Sequence, residues 1–354
     1  MHVQVTRGSS GLVTTTLAKS LAILQTAMKQ REPAATLLAS EHPAQLSRPA
    51  PSNGTLSAYS ASLAIAGCQA MLRTAKQESP QGSWSSISMD NLSSSRSPSQ
   101  PDAGDSTIVC GTAYQPRMLP FQNPNPPSEP TLYIGAMPGD WAITGGLGSI
   151  GLLVAEWVAA SSQSGSLWLL SRTAHSAAAA HMTQHPTAHF TIHQCDIASA
   201  EDSSGWGQSQ RQGGSNPLGG LLHAGGVLRD ALLPQQSPRG IREVAAGKVH
   251  GGLRLCSAAG LAPLAATVLF SSTAAVLGPP GQANYAAANA MLNHLSGTQN
   301  QSGVWNCGPE VLSGRRLSVE IPPSSCAHMY SACGYRDWWS QIHKCCLSVH
   351  FITF

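Results

Sequence analysis

Charge is scarce in this chain of 354 residues: Asp, Glu, Lys and Arg together make up 10% of it, where an average soluble domain carries roughly a quarter. Lys plus Arg number 20 and Asp plus Glu 17, a formal net charge of +3. No basic or acidic run rises out of that balance, so neither nucleic acid nor a membrane surface is expected as a partner. There is no stretch of about 18 apolar residues, which argues against a membrane span. The 9 cysteines contain no CxxC pair and no second pair at zinc-ligand spacing. No metal site is therefore expected, and the thiols read as reduced, as in a cytoplasmic protein. The opening MHVQVTRGSS lacks a charged stretch followed by an apolar core, so no secretory signal is expected. No internal repeat is detectable.

Apolar residues make up 42% of the chain, enough for a sizeable core, and the length suits two domains or one with a large appendage. Residues 81–130 are rich in Ser, Pro, Asn and Gln, with FQNPNPPSEP at 121–130 as the clearest linker. Before it, helices are expected over 17–29 and 61–76; composition alone leaves open a poorly ordered extension. Beyond it the pattern changes. DWAITGG (140–146), SLWLLSR (166–172), HFTIHQCD (189–196), LGGLLHAGG (218–226) and ATVLFSS (266–272) read as strands. Helices are expected over 152–160 and 281–295. Strands alternating with helices imply βαβ units: an α/β, Rossmann-type doubly wound parallel sheet with ligands at the carboxyl ends of its strands. Past residue 300 no period is sustained.

Within Thr144-Gly145-Gly146-Leu147-Gly148-Ser149-Ile150-Gly151, Gly146, Gly148 and Gly151 match G-x-G-x-x-G between a strand and a helix. The first glycine would permit the tight turn and the second would let backbone approach a pyrophosphate. The third would let helix and strand pack closely, while the helix N-terminus offers free N–H groups. The next strand ends in Ser171-Arg172 with no acid nearby. A guanidinium and a hydroxyl suit the 2′-phosphate of NADP, where an NAD enzyme would place Asp or Glu. Asp196, ending the third strand, could accept from an adenine amine or could cap a helix ahead of Ile197.

Ketone reduction needs a hydride donor and a proton donor at the carbonyl oxygen. A tyrosine, with its ordinary pKa of about 10, can serve if a nearby ammonium favours its ionised form. Tyr285 and Asn289 lie four apart on one expected helix and so share a face. Ser272 ends the preceding strand, and Lys248 lies in KVHGG. Singly these residues are unremarkable; behind a nucleotide loop they form a set.

LLHAGGVLRDALL (221–233), KVHGGLRL (248–255) and VLFSSTAAVLGPPGQANYAAANAMLNHL (268–295) closely resemble the ketoreductase domains of polyketide synthases and animal-type fatty acid synthases. These belong to the short-chain dehydrogenase/reductase superfamily. Most of that superfamily places its lysine four residues after the tyrosine; the synthase ketoreductases have Asn there and take Lys from upstream, as here. The resemblance implies that Tyr285 is the proton donor, Ser272 a hydrogen-bond partner of the carbonyl, and Lys248 the group that lowers the tyrosine pKa. Asn289 would orient the site. The implied cofactor contacts are Thr144, Gly146, Leu147, Gly148 and Ile150 of the loop, Ser171 with Arg172, Asp196 with Ile197, and His223, Ala224 and Gly225. The implied reaction is NADPH-dependent reduction of a β-ketoacyl thioester, held on the phosphopantetheine arm of an acyl carrier protein, to the β-hydroxyacyl thioester. Other synthase domains would be partners.

AGCQAMLRTAKQESPQGSWSSISMD (66–90) resembles the segment before the catalytic domain in these synthases. The expected organisation is therefore a partial Rossmann-like structural subdomain with a Ser/Pro-rich linker over 1–128, a catalytic domain over 129–300, and an irregular tail over 301–354. Three departures stand out. His223-Ala224-Gly225-Gly226 replaces the family's His-Ala-Ala-Gly, the helix after Arg172 reads as short, and the elements that follow the tyrosine helix in the family are not legible past 300. The last implies a C-terminally truncated chain, weakly stable and with an unfinished substrate side. Leu228-Arg229-Asp230 retains the last Asp of a Leu-Asp-Asp motif, and Leu277 stands where the opposite stereochemical type has Trp, which leans toward the D-configured product. Two other readings are a catalytically inactive structural fragment and a free-standing reductase of small ketones.

Overall fold

The computed structural model describes residues 2–5, 12–30, 32–40, 53–89, 105–109, 112–114, 139–161, 165–173, 189–212, 216–258, 266–300 and 349–350. The first run of elements is β1 (His2–Val5), α1 (Leu12–Met28), β2 (Ala34–Ser40), α2 (Asn53–Glu78), β3 (Ser83–Met89), β4 (Asp105–Val109) and β5 (Thr112–Tyr114). The second is β6 (Asp140–Thr144), α3 (Ser149–Ser161), β7 (Ser166–Ser171), β8 (His189–Gln194), α4 (Ala200–Gln212) and β9 (Leu218–His223). A 3-10 turn (Leu233–Gln235), α5 (Pro238–Ala245), a π-turn (Ala246–His250) and α6 (Gly251–Ala258) come next. They are followed by β10 (Ala266–Phe270), α7 (Ala274–Leu277), α8 (Ala283–Asn300) and β11 (Val349–His350). Among the described residues no helix is long and apolar enough to cross a membrane. The chain folds as two units.

One unit comprises Met1–Glu129, Val227–Val249 and Ala274–Asn306. Its sheet has the order β1-β2-β3-β4-β5, with β1 to β4 parallel and β5 antiparallel to β4. Three of these strands lie within 81–130, which the composition marked as Ser- and Pro-rich. Serine is tolerated there because backbone ladders on both sides carry β3, and Thr36 Oγ1 on β2 pairs with Ser85 Oγ at 3.0 Å. The linker at 121–130 lies outside the described residues. On α1, Leu17, Leu21 and Leu24 recur at helical spacing and are buried. At Gly67 on α2 an added Cβ would sit 2.8 Å from Leu17 Cδ2 and 3.4 Å from Met291 Cγ of α8. The bare glycine is what brings these helices close. Beside it Cys68 Sγ lies 3.1 Å from Ser20 Oγ. Burial pushes this thiol up to about 11, against a smaller opposing effect of the Ser20 hydrogen bond.

The other unit comprises Pro130–Gly226, His250–Thr273 and Cys307–Phe354. Its sheet runs β11-β10-β9-β6-β7-β8, all parallel except the two-residue β11 at the edge of β10. Without β11 this is the doubly wound 3-2-1-4-5 order of a Rossmann-type α/β fold. The remainder of 301–354, expected to be an irregular tail, lies outside the described residues, as does the segment 174–188 read as a short helix. The central strands β6 and β9 are buried along their whole length, as strands covered on both faces are. Trp141, Ile143, Leu169, Leu222, Val268 and Phe270 form the core with Val154 and Val158 of α3. Trp141 occupies the space left by a missing side chain, because a Cβ on Gly220 would come within 2.1 Å of its ring. Buried Asp140 opens β6 and accepts from the Ser166 N–H at 2.9 Å and from Trp168 Nε1 at 3.2 Å.

Candidate active site

In the second sheet the strand order reverses between β6 and β9, where a crevice opens at the carboxyl ends. Thr144 and His223 end these strands in register. Thr144 Oγ1 lies 2.7 Å from His223 Nδ1 and accepts the Gly225 N–H at 3.0 Å. The hydroxyl thus joins the glycine loop to the His223-Ala224-Gly225 turn. A Cβ added at Gly225 would lie 2.7 Å from Ile197 Cδ1, the end of a flexible side chain, and 3.0 Å from Thr144 Oγ1.

The glycine loop departs from the sequence reading in one respect. The left-handed turn is made by Gly145, at φ +62, and not by Gly146. Gly148 N–H donates to Gly145 O at 2.8 Å, closing a β-turn. Gly146 is required for a different reason, since its Cβ would lie 2.9 Å from Ile143 O and from Leu169 Cα. At Gly151 the Cβ would lie 2.1 Å from Gly145 O, so the first turn of α3 packs directly on loop backbone. Leu147 and Ile150 pack on the core from this loop. A bare backbone cradle leading into a helix N-terminus fits the pyrophosphate of a dinucleotide.

Ser171 ends β7 half-buried and Arg172 follows it exposed. Asp196 is two residues past β8, and its Oδ1 accepts the Ala198 N–H at 3.0 Å. It therefore makes an Asx turn and does not cap the helix. The cap is Ser199, whose Oγ accepts the Asp202 N–H at 3.2 Å, while Asp202 Oδ2 accepts the Asp196 N–H at 2.9 Å. Ile197 is buried, and Arg254 Nη1 donates to Ala198 O, fixing the same turn from α6. Ser272, two residues past β10, is buried in this unit.

The other unit holds Tyr285, Lys248 and Asn289 together. Tyr285 sits in the first turn of α8, and Asn289 Nδ2 donates to Tyr285 O at 2.8 Å one turn on. Lys248 is carried by the π-turn, a wide turn often found at functional sites. Its Nζ lies over the Tyr285 ring, 5.2 Å from the centroid, and the lysine is only 5% exposed. A lysine ammonium over an aromatic face makes a cation–π contact. The Tyr285 N–H is capped by Asn284 Oδ1 at 2.6 Å, and Asn284 Nδ2 donates to Arg229 O at 2.7 Å. Among the described residues no cluster of His, Cys, Asp and Glu could hold a metal ion.

Residues 139–307 match the family described as KR domain. The matched segment makes up just under half of the chain. The chain is 35% identical over 184 residues to the polyketide synthase ThaG of Burkholderia thailandensis, which takes in 52% of this chain and 3% of that protein. It is 32% identical over 217 residues to 6-methylsalicylic acid synthase of Aspergillus niger, covering 57% of this chain and 12% of the other. It thus spans a small fraction of the length of these synthases. A ketoreductase domain from the bacillaene assembly line superposes with a TM-score of 0.65 at 16% identity, over 99% of this chain and 86% of that one.

KR domains are oxidoreductases of the short-chain dehydrogenase type that use a nicotinamide cofactor. Sequence reasoning missed two backbone features here. Gly145 carries the positive φ, which the Gly145-Gly146 pair could have signalled. The π-turn around Lys248 has no sequence signature, because any helix-compatible run can adopt it.

Proposed function

We propose that this chain reduces a β-ketoacyl thioester, presented on the phosphopantetheine arm of an acyl carrier protein, to the β-hydroxyacyl thioester with NADPH. The catalytic part would span 129–300, behind a structural subdomain through residue 128, within a larger synthase that supplies the carrier and other domains. The observation that carries the reading is the buried Lys248 ammonium over the Tyr285 ring, with Asn289 one turn beyond the tyrosine. Asn at that position with Lys supplied from upstream is the arrangement the resemblance implies.

Thr144, Gly146, Leu147, Gly148 and Ile150 would hold the dinucleotide, with His223, Ala224 and Gly225 along its length. Ser171 and Arg172 would receive the 2′-phosphate, and Asp196 with Ile197 the adenine. When bound, NADPH supplies a hydride to the substrate carbonyl. Tyr285 holds the proton destined for the carbonyl oxygen at its phenol Oη, and Ser272 donates a hydrogen bond to that oxygen. Lys248 stabilises the phenolate left behind, so the proton leaves Tyr285 at lower cost. Asn289, tied to Tyr285 O, keeps the first turn of α8 in register.

The test is turnover of a β-ketoacyl thioester, or of a bicyclic ketone such as decalone, with NADPH. Tyr285→Phe is expected to lower kcat by two orders of magnitude or more and leave the Kd for NADPH nearly unchanged, since a transition-state interaction alone is lost. Full activity in the variant would overturn the assignment.

A further inference from the structure

The long helix α2 ends at Glu78, an acid where the helix dipole disfavours one. The half-buried carboxylate reaches away from its own helix. Its Oε2 accepts the Leu233 N–H at 2.7 Å, and its Oε1 accepts the Gly281 N–H at 2.8 Å. The two amides belong to segments far apart in the chain. Leu233 opens the 3-10 turn that leads through α5 to the π-turn bearing Lys248. Gly281, at φ +81, lies four residues ahead of Tyr285 in the turn before α8.

These same segments are also tied to each other. Ala231 N–H donates to Gly281 O at 2.9 Å, and Gln236 Nε2 donates to Ala231 O at 2.8 Å. Gln25 on α1 donates from Nε2 to Leu233 O at 3.0 Å and to Gln236 O at 2.8 Å. Of these ties the carboxylate is the charged one, and charge-assisted bonds are roughly twice as strong as neutral ones. A carboxylate can present one acceptor oxygen to each of two separate N–H donors.

We infer that Glu78 is a positioning residue: its carboxylate clamps the segment leading to Lys248 onto the segment leading to Tyr285 and so sets the ammonium–phenol distance. The inference rests on the reading of Tyr285 as proton donor and gives the first third of the chain a part in the chemistry.

The test compares Glu78→Gln and Glu78→Ala with the full chain. Hydrogen exchange at the Leu233 and Gly281 amides reads the clamp itself. Both amides should exchange at least roughly tenfold faster in Glu78→Ala, and one of them in Glu78→Gln, whose amide keeps a single acceptor oxygen. Titration of Tyr285, followed by tyrosine Cζ NMR and assigned by the signal lost in Tyr285→Phe, reads the consequence. Its pKa should move up toward the ordinary phenol value in both variants, because the ammonium is held less closely. kcat should fall about tenfold with the KM for NADPH unchanged, as expected for sub-ångström misplacement of a proton donor. Unchanged amide exchange overturns the clamp. Faster exchange with an unmoved Tyr285 titration overturns the positioning role and leaves a structural tie. Full turnover in Tyr285→Phe would instead remove the functional reading while leaving the clamp to stand or fall on the two amides.

Discussion

The chain contains two parallel sheets, and they differ most in the order in which strands are added. The β1-to-β5 sheet grows in one direction, each strand beside the last. The β6-to-β10 sheet grows one way to β8, returns, and grows the other way through β9 and β10. Only the second order creates a point where neighbouring loops part to opposite sides of the sheet, and that is where a nucleotide fits. The glycine loop and the Thr144–His223 pair lie there. Among the described residues the one-directional sheet has no such reversal of strand order. What its helices offer is side chains for other segments' backbone: Gln25 to Leu233, Arg73 Nη1 to Ala275 O at 2.7 Å, and Glu78 to Leu233 and Gly281. A sheet of the same broad class can serve as a binding floor or as a bracket, depending on where its strand order turns.

A single added methyl should separate the two roles most sharply. Gly151→Ala drives a Cβ into loop backbone that cannot step aside, so a loss of about 1–3 kcal/mol and no detectable dinucleotide binding are expected. Gly67→Ala meets the far end of the flexible Leu17 side chain, and gains helix propensity in return. It should leave stability nearly unchanged and dinucleotide affinity untouched. Calorimetric binding and thermal melts of the pair would break the comparison if the two glycines behaved alike.

Acid should act mainly on the unit built around the first sheet. Burial holds His294 of α8 down to about 4, from an ordinary 6.5. The unfolded chain takes up the proton near 6.5 while the native state does not, so stability falls as pH drops from 6.5 toward 4. The linked loss is about 3 kcal/mol. In the other unit His250 is lowered by burial and, secondarily, by Arg254. Denaturant melts across this pH range should flatten more with His294→Gln than with His250→Gln.

Smaller effects are expected at the surface of the nucleotide side. Arg172→Asp should weaken NADPH binding roughly tenfold and leave NADH nearly unaffected, the selectivity a guanidinium–phosphate contact would supply. Equal affinity of the unaltered chain for both cofactors would refute the phosphate contact. Gly205→Ala, in α4 with nothing within 4 Å of the new Cβ, should raise stability by about 0.5–1 kcal/mol, visible as a higher Tm without change in cofactor affinity.

What the sequence conveyed follows from the same contrast. The central strands of the second sheet are the most buried, so β6, β7, β9 and β10 stand out as apolar runs, expected from the right first residue and to within three residues of their observed ends. Their carboxyl ends carry Thr144, Arg172, His223 and Ser272, residues that the resemblance to synthase ketoreductases implies for the site. The first sheet was largely hidden. Ala34–Ser40 and Ser83–Met89 are dominated by Ala, Ser and Thr, and what makes them strands is the ladder formed with neighbours distant in sequence. Helix α2 begins at Asn53, eight residues before the expected position, because its Ser- and Gly-containing first turns have low helix propensity and so give little sign of a helix. Glu78 was invisible as a bridging group, since no local pattern reveals which amides a carboxylate will meet.

The buried thiols offer a clock for each half of this comparison. Cys68 in the first unit and Cys195 in the second are buried, and both are raised to about 11. For Cys195, burial comes first, followed by the carboxylates of Asp202 and Asp196. Thiolate is the reacting species, so neither sulfur can be alkylated at neutral pH until its surroundings open to water. The rate at which each takes a label then measures how often its own unit opens. Equal rates would mean that the two units open equally often, and unequal rates that one opens more readily than the other.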